Sequence, residues 1–103
     1  MAWHEAAEEA QLGDDEALAL AIGAAKIALC RSGGEVYAVD NVCTHQYALL
    51  SDGYVEDGCI ECPLHQGRFD LKTGAALCAP VTDPVKVYPV RREGGKIYVE
   101  LAE

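Results

Sequence analysis

Long apolar runs are missing from this chain of 103 residues. None approaches the roughly 20 residues that a bilayer-spanning helix needs. The opening stretch MAWHEAAEEAQLGDDE has no Lys or Arg and no continuous apolar segment, so it lacks both marks of a secretory signal. The expected setting is the cytoplasm, away from any membrane. Positive charge is scarce too: 8 Lys and Arg face 17 Asp and Glu, for a formal net charge of −9. That balance argues against nucleic acid or an anionic membrane surface as a partner. Two stretches hold acids and no Lys or Arg. Glu5, Glu8, Glu9, Asp14, Asp15 and Glu16 lie in the first, and Asp52, Glu56, Asp57 and Glu61 lie between Cys43 and His65. A solvated face is the ordinary use of such runs; a docking face for a basic partner is the sharper one. Internal repeats, low-complexity linkers and domain boundaries are absent, which leaves one domain. No acid/base pair or substrate-pocket signature suggests an enzyme.

Half of the residues are apolar, enough for a small core at a size where a metal often helps as a staple. The N-terminal third is ambiguous. Alanine-rich EAAEEAQLGDDEALALAIGAAK favours helix by intrinsic propensity, yet Leu18, Leu20 and Ile22 recur with the period of a strand. KIALCR is apolar again and SGG at 32–34 is a turn. EVYAVDNV reads as a strand. Short strand-like runs then alternate with turns, and VKVYPVRR with KIYVEL forms an expected hairpin around Glu93-Gly94-Gly95. Turns at this spacing predict an all-β sandwich or barrel.

Five cysteines in a cytoplasmic chain are expected as reduced thiols or metal ligands. Three of them fall with two histidines in CTHQYALLSDGYVEDGCIECPLHQ, and a four-ligand site needs four of these five groups. A zinc-like site would use Cys59 and Cys62 as one half. Cys59 to Glu61 reads as a strand, however, and residues three apart on a strand face opposite ways. The other choice pairs Cys43-Thr44-His45 with Cys62-Pro63-Leu64-His65. Each starts where a strand enters a loop, and YVEDGCIE supplies a hairpin that can bring the loops together. A zinc site built from the two cysteines and two histidines stays open at this spacing.

C-x-H followed after 16 residues by C-x-x-H resembles the motif of Rieske [2Fe–2S] proteins. NVCTH, LSDGYVEDG, IECPLHQGRFDLKTG and CAPV are similar to segments of the ferredoxin components of bacterial aromatic-ring dioxygenases, a likeness spanning residues 34–101. The resemblance implies an all-β Rieske domain. An antiparallel β-sandwich base of about 1–42 and 82–103 would carry an inserted cluster-binding subdomain of about 43–80. It implies one [2Fe–2S] cluster, with Cys43 and Cys62 on one iron and His45 and His65 on the other. It implies a monomeric one-electron carrier, not an oxygenase, that takes electrons from a flavin-containing, NADH-dependent reductase and passes them to a terminal oxygenase. The rivals are the small subunit of an assimilatory nitrite reductase and a zinc-stapled binding module without redox role. Cys30, Cys59 and Cys78 are expected as small apolar or semi-exposed residues, and His4 as a surface residue.

Two thiolates and two imidazoles leave the oxidised centre neutral, where four thiolates would make it a dianion. This places Rieske potentials above those of plant-type ferredoxins, over roughly −150 to +300 mV. High-potential relatives place a disulfide at the positions of Ala48 and Leu64, and serine and tyrosine hydroxyls at those of Gly67 and Phe69. Donors to sulfur favour the reduced cluster, so their lack here implies the low end of the range. Pro80 is the expected cover on a third side, with Leu49, Leu50 and Leu64 as candidate water-excluding residues. Lys72 and Arg68 are the first cations after the site, available to pair with Asp70.

Overall fold

The computed structural model describes residues 2–44, 48–64, 66–79 and 81–101. Among them the chain forms strands and two short 3-10 turns, and no α-helix. Strands β1 (Ala2–Glu8), β2 (Glu16–Ile22), β3 (Ala25–Ser32) and β4 (Glu35–Asp40) come first. Four strands of three residues follow: β5 (Tyr54–Glu56), β6 (Cys59–Glu61), β7 (Arg68–Asp70) and β8 (Ala76–Cys78). The chain closes with β9 (Val87–Tyr88), β10 (Val90–Glu93) and β11 (Lys96–Leu101). They build three sheets, ordered β1-β11-β10, β2-β3-β4-β9 and β5-β6-β7-β8, with every pairing antiparallel. The all-β expectation is met.

The ambiguous N-terminal third is strand, not helix. Ala2–Glu8 pairs with β11, and Leu18 and Leu20 lie opposite Leu29 and Ile27. The alternation of Leu18, Leu20 and Ile22 points all three at the core between the first two sheets. Burial against neighbouring strands thus overrides the helix propensity of alanine. Between β1 and β2, Glu9–Gln11 makes a 3-10 turn. Arg31 and Arg92 pin it: Arg92 Nη2 meets Glu9 Oε1 at 2.6 Å, and Arg31 Nε donates to the Leu12 carbonyl at 2.8 Å. The Arg92 hydrogen bond holds the Glu9 carboxyl below the usual carboxylate range. The closing hairpin appears as expected, with Val90–Glu93 against Lys96–Leu101.

The middle sheet is buried on both faces. On β3, Ile27 and Leu29 pack with Val36, Ala38, Ile97 and Val99 on one side. Their neighbours Ala28 and Cys30 pack on the other side with Val39, Val55, Ile60, Phe69 and Leu71. A strand covered on both sides reads as a continuous apolar run, which is why KIALC shows no alternation. His4 is half-buried on β1 rather than at the surface. Among the described residues, no helix is long and apolar enough to cross a membrane.

Candidate metal centre

Two loops leave the middle and third sheets side by side. The first follows β4. Asn41 is buried and organises its base: its Nδ2 donates to Ser51 Oγ at 2.9 Å, and its Oδ1 accepts the Ser51 N–H at 2.8 Å. The Leu50 N–H donates to the Asn41 carbonyl at 2.7 Å, Val42 bridges Leu49, and the Cys43 N–H donates to the Ala48 carbonyl at 2.9 Å. The second loop joins β6 to β7, and its Cys62 N–H donates to the Gly67 carbonyl at 2.7 Å. Each loop therefore closes in the same way, from the cysteine N–H to the carbonyl five residues on.

The hairpin that presents the second loop has the expected chemistry. Asp57 and Gly58 both take positive φ, 51° and 76°, the requirement of a two-residue turn whose twist matches its strands. The Gly58 N–H donates to Ser32 Oγ at 2.8 Å, tying this turn to the end of β3.

Cys43 and Cys62 are both buried and share one core with Ala48, Leu50, Ile60, Phe69, Val81 and Val85. Their thiols interact. Burial pushes the Cys62 thiol up, the Leu64 backbone N–H directed at its sulfur pulls it down, and the Cys43 side chain raises it further. His45 and His65, the other two expected ligands, lie outside the described residues, as does Pro80.

Cys59 faces elsewhere. On β6 the buried positions are Ile60 and the following Cys62, while Cys59 and Glu61 point to the other face. There Cys59 lines a shallow hollow with Tyr54, Glu56, Glu61 and Arg68. The period-two argument from the sequence holds, and Cys59 and Cys62 do not converge. Cys30 is fully buried, its thiol pushed up to about 12 by desolvation, whereas Cys78 is exposed. None of the five cysteines forms a disulfide.

Of the candidate water-excluding leucines, Leu50 is fully buried, Leu49 half-buried and Leu64 is 40% exposed. Arg68 pairs with Glu61 at 3.0 Å, its cross-strand partner on β6, and not with Asp70. Asp70 instead accepts the Lys72 N–H and the Thr73 hydroxyl, each at 3.0 Å, in the turn after β7. The acidic stretch before His65 thus divides: Asp52, Glu56 and Asp57 are exposed, while Glu61 is half-buried and neutralised. Two features went unread in the sequence, the Asn41–Ser51 pairing and a hydrogen bond from the Thr44 hydroxyl to the Asp83 carbonyl at 2.8 Å. Both join residues whose proximity is created by the fold, so no local pattern marks them.

A family model for the Rieske [2Fe-2S] domain matches residues 2–89. The chain is 48% identical over 99 residues to the anthranilate 1,2-dioxygenase ferredoxin subunit of Burkholderia cepacia, covering 96% of this chain and 92% of the relative. The Sphingomonas yanoikuyae B1 ferredoxin structure superposes with a TM-score of 0.93 at 37% identity, covering 98% of this chain and 100% of that one. A chain from the complex of reduced oxygenase and oxidized ferredoxin in carbazole 1,9a-dioxygenase superposes with a TM-score of 0.88 at 34% identity, covering 94% and 91%. The matches imply one Rieske cluster. Two adjacent buried thiols on separately closed loops suit its thiolate-held iron, because thiolates so placed are shielded from water and brought within reach of one ion. The chain belongs to the Rieske [2Fe–2S] domain family.

Proposed function

We propose that this protein is the ferredoxin component of an aromatic-ring dioxygenase system, carrying one electron at a time to a terminal oxygenase. The observation that carries the reading is the pair of buried, interacting cysteines on two loops closed alike, in a chain so similar to dioxygenase ferredoxins. The [2Fe–2S] cluster supplies the one-electron couple. Cys43 and Cys62 would hold one iron, and His45 and His65 the other. The rest of the chain orients those loops and excludes water from the thiolate side through Leu50, Ile60, Phe69 and Val81. Residues of about 1–42 and 82–103 form the base, and about 43–80 the cluster-binding part. The protein works as a monomer in the cytoplasm, and a flavin-containing reductase supplies its electrons. The nitrite reductase reading is less supported, since the relative at 48% identity is a dioxygenase ferredoxin subunit.

The test is ligand replacement. Cys43→Ser, Cys62→Ser, His45→Ala and His65→Ala should each abolish the native visible and EPR spectra, and Cys59→Ser should leave both nearly intact. A colourless Cys59→Ser protein would sink the assignment, and a zinc-loaded, colourless wild type would favour the binding module.

A further inference from the structure

β9 pairs with β4 only at Ala38 and Val39, and Pro89 then carries the chain off to the first sheet. Proline has no N–H with which to extend a ladder. A groove of about 380 Å³ lies where the pairing stops, a size within the roughly 300–1,000 Å³ of small-molecule sites. Tyr37, Val87, Tyr88 and Pro89 line it from the middle sheet, and Leu71 and Lys72 from the turn after β7. The Tyr88 hydroxyl donates to the Asp40 carboxylate, so this ring has only its apolar surface to offer. Lys86 sits over the same ring, 5.0 Å from its centre. Lys72 is exposed, and among the described residues no carboxylate pairs with its ammonium group.

The charge of this lining runs against the rest of the chain. With 17 Asp and Glu against 8 Lys and Arg, a hollow is expected to be acidic. The one at Cys59 holds Glu56 and Glu61, and the one where Ser32, Gly33 and Gly58 meet holds Asp14, Asp15, Glu35 and Asp57. The groove beside β9 holds no carboxylate, and Lys72 is its one charged residue. We propose that this groove is a binding site for a small aryl carboxylate. The ring packs against Tyr37 and Tyr88, which favour a second aromatic ring over a saturated one, and the carboxylate meets the Lys72 ammonium group. Such an anion is repelled by the two acidic hollows and attracted here. An occupant bridges the middle sheet and the turn after β7, and leaves the cysteine loops uncovered.

The test is equilibrium dialysis of radiolabelled ligands against the full chain loaded with its cluster. Benzoate should bind about fivefold tighter than benzyl alcohol, the upper end of what one exposed ion pair contributes. Cyclohexanecarboxylate keeps the charge and the bulk without the aromatic face, and should bind severalfold weaker than benzoate. Lys72→Gln should abolish the preference for benzoate over benzyl alcohol, and Lys72→Arg should retain it. Lys96→Gln makes the same change of net charge on the first sheet and should leave the preference intact. Benzoate that fails to saturate, or that binds no tighter than benzyl alcohol, overturns the proposal. So does a preference that survives in Lys72→Gln, or one lost equally in Lys96→Gln, which would make it an effect of net charge. Cyclohexanecarboxylate bound as tightly as benzoate overturns the aryl assignment.

Discussion

Single side chains divide the five cysteines by role. Cys30 is enclosed by the core and its thiol is held protonated by burial, so it is inert as a nucleophile. Cys59 is half-buried, its thiol pushed up first by desolvation and then by the Asp70 carboxylate. Cys78 is exposed. Treatment of the cluster-loaded protein with iodoacetamide should therefore modify Cys78 first, Cys59 more slowly and Cys30 not at all, as read by peptide mass spectrometry. Early labelling of Cys30 would mean that the core opens. A second prediction concerns Phe69, which is fully buried in the same core as Cys62. Phe69→Tyr adds a hydroxyl that can donate to a cluster sulfur, and the donor favours the reduced state. Taking about 1 kcal/mol for the difference between redox states, the potential should rise by roughly 40 mV. Voltammetry reads this directly. Gly67→Ser is a poorer probe of the same idea, because its Cβ runs into Val81. An unshifted potential in an intact Phe69→Tyr cluster would mean that a donor at this position does not set the potential.

At the scale of elements, the strands were legible wherever local chemistry decides them. The Asp57-Gly58 and Gly94-Gly95 turns, the β10–β11 hairpin and the alternation in β2 follow from turn residues and period two. The Cys59 side of β6 followed from the same period. The β1 part of the alanine-rich stretch did not, because its state depends on β11, which pairs with it from the far end of the chain. Nor did Arg68, whose partner is set by the register of β6 against β7. The two cysteine loops were legible from spacing, but the contacts of Thr44 and Asn41 were not, being products of tertiary proximity. The 3-10 turn at Glu9–Gln11 offers a pH test. The folded-state pKa of Glu9 is depressed, chiefly by the Arg92 hydrogen bond. The stability it contributes is present above the unfolded pKa and is lost as pH falls through the folded one. Wild type should melt higher than Glu9→Gln above about pH 5, with the gap closing as the solution becomes more acidic. A gap that does not change with pH would assign the effect to shape rather than charge.

For the molecule as a whole, the excess of acids matters more than any one of them. Asp14, Asp15, Glu35 and Asp57 surround one hollow where the turns after β1, β3 and β5 meet. Asp52 and Glu56 add further exposed charge. Such a field should steer a basic partner at long range, and salt screens it over about 8–10 Å at physiological ionic strength. Stopped-flow electron transfer from the reductase should slow as ionic strength rises. A flat rate would reduce these acids to a role in solubility. Glu61→Gln should flatten the slope much as loss of an unpaired acid would, since it leaves the Arg68 charge uncompensated.

The middle sheet, covered on both faces, is a party wall. Ala28 belongs to one room and Leu29, its neighbour in sequence, to the other. A larger side chain at either position cannot be a private alteration, because close-packed interiors transmit strain. A bulky residue at Ala28 pushes against Ile60 and Phe69 and so displaces β3 toward Ile97 and Val99. Heritable change in this strand is consequently constrained from two directions at once. The redox end cannot be retuned through β3 without the opposite end of the protein acquiescing.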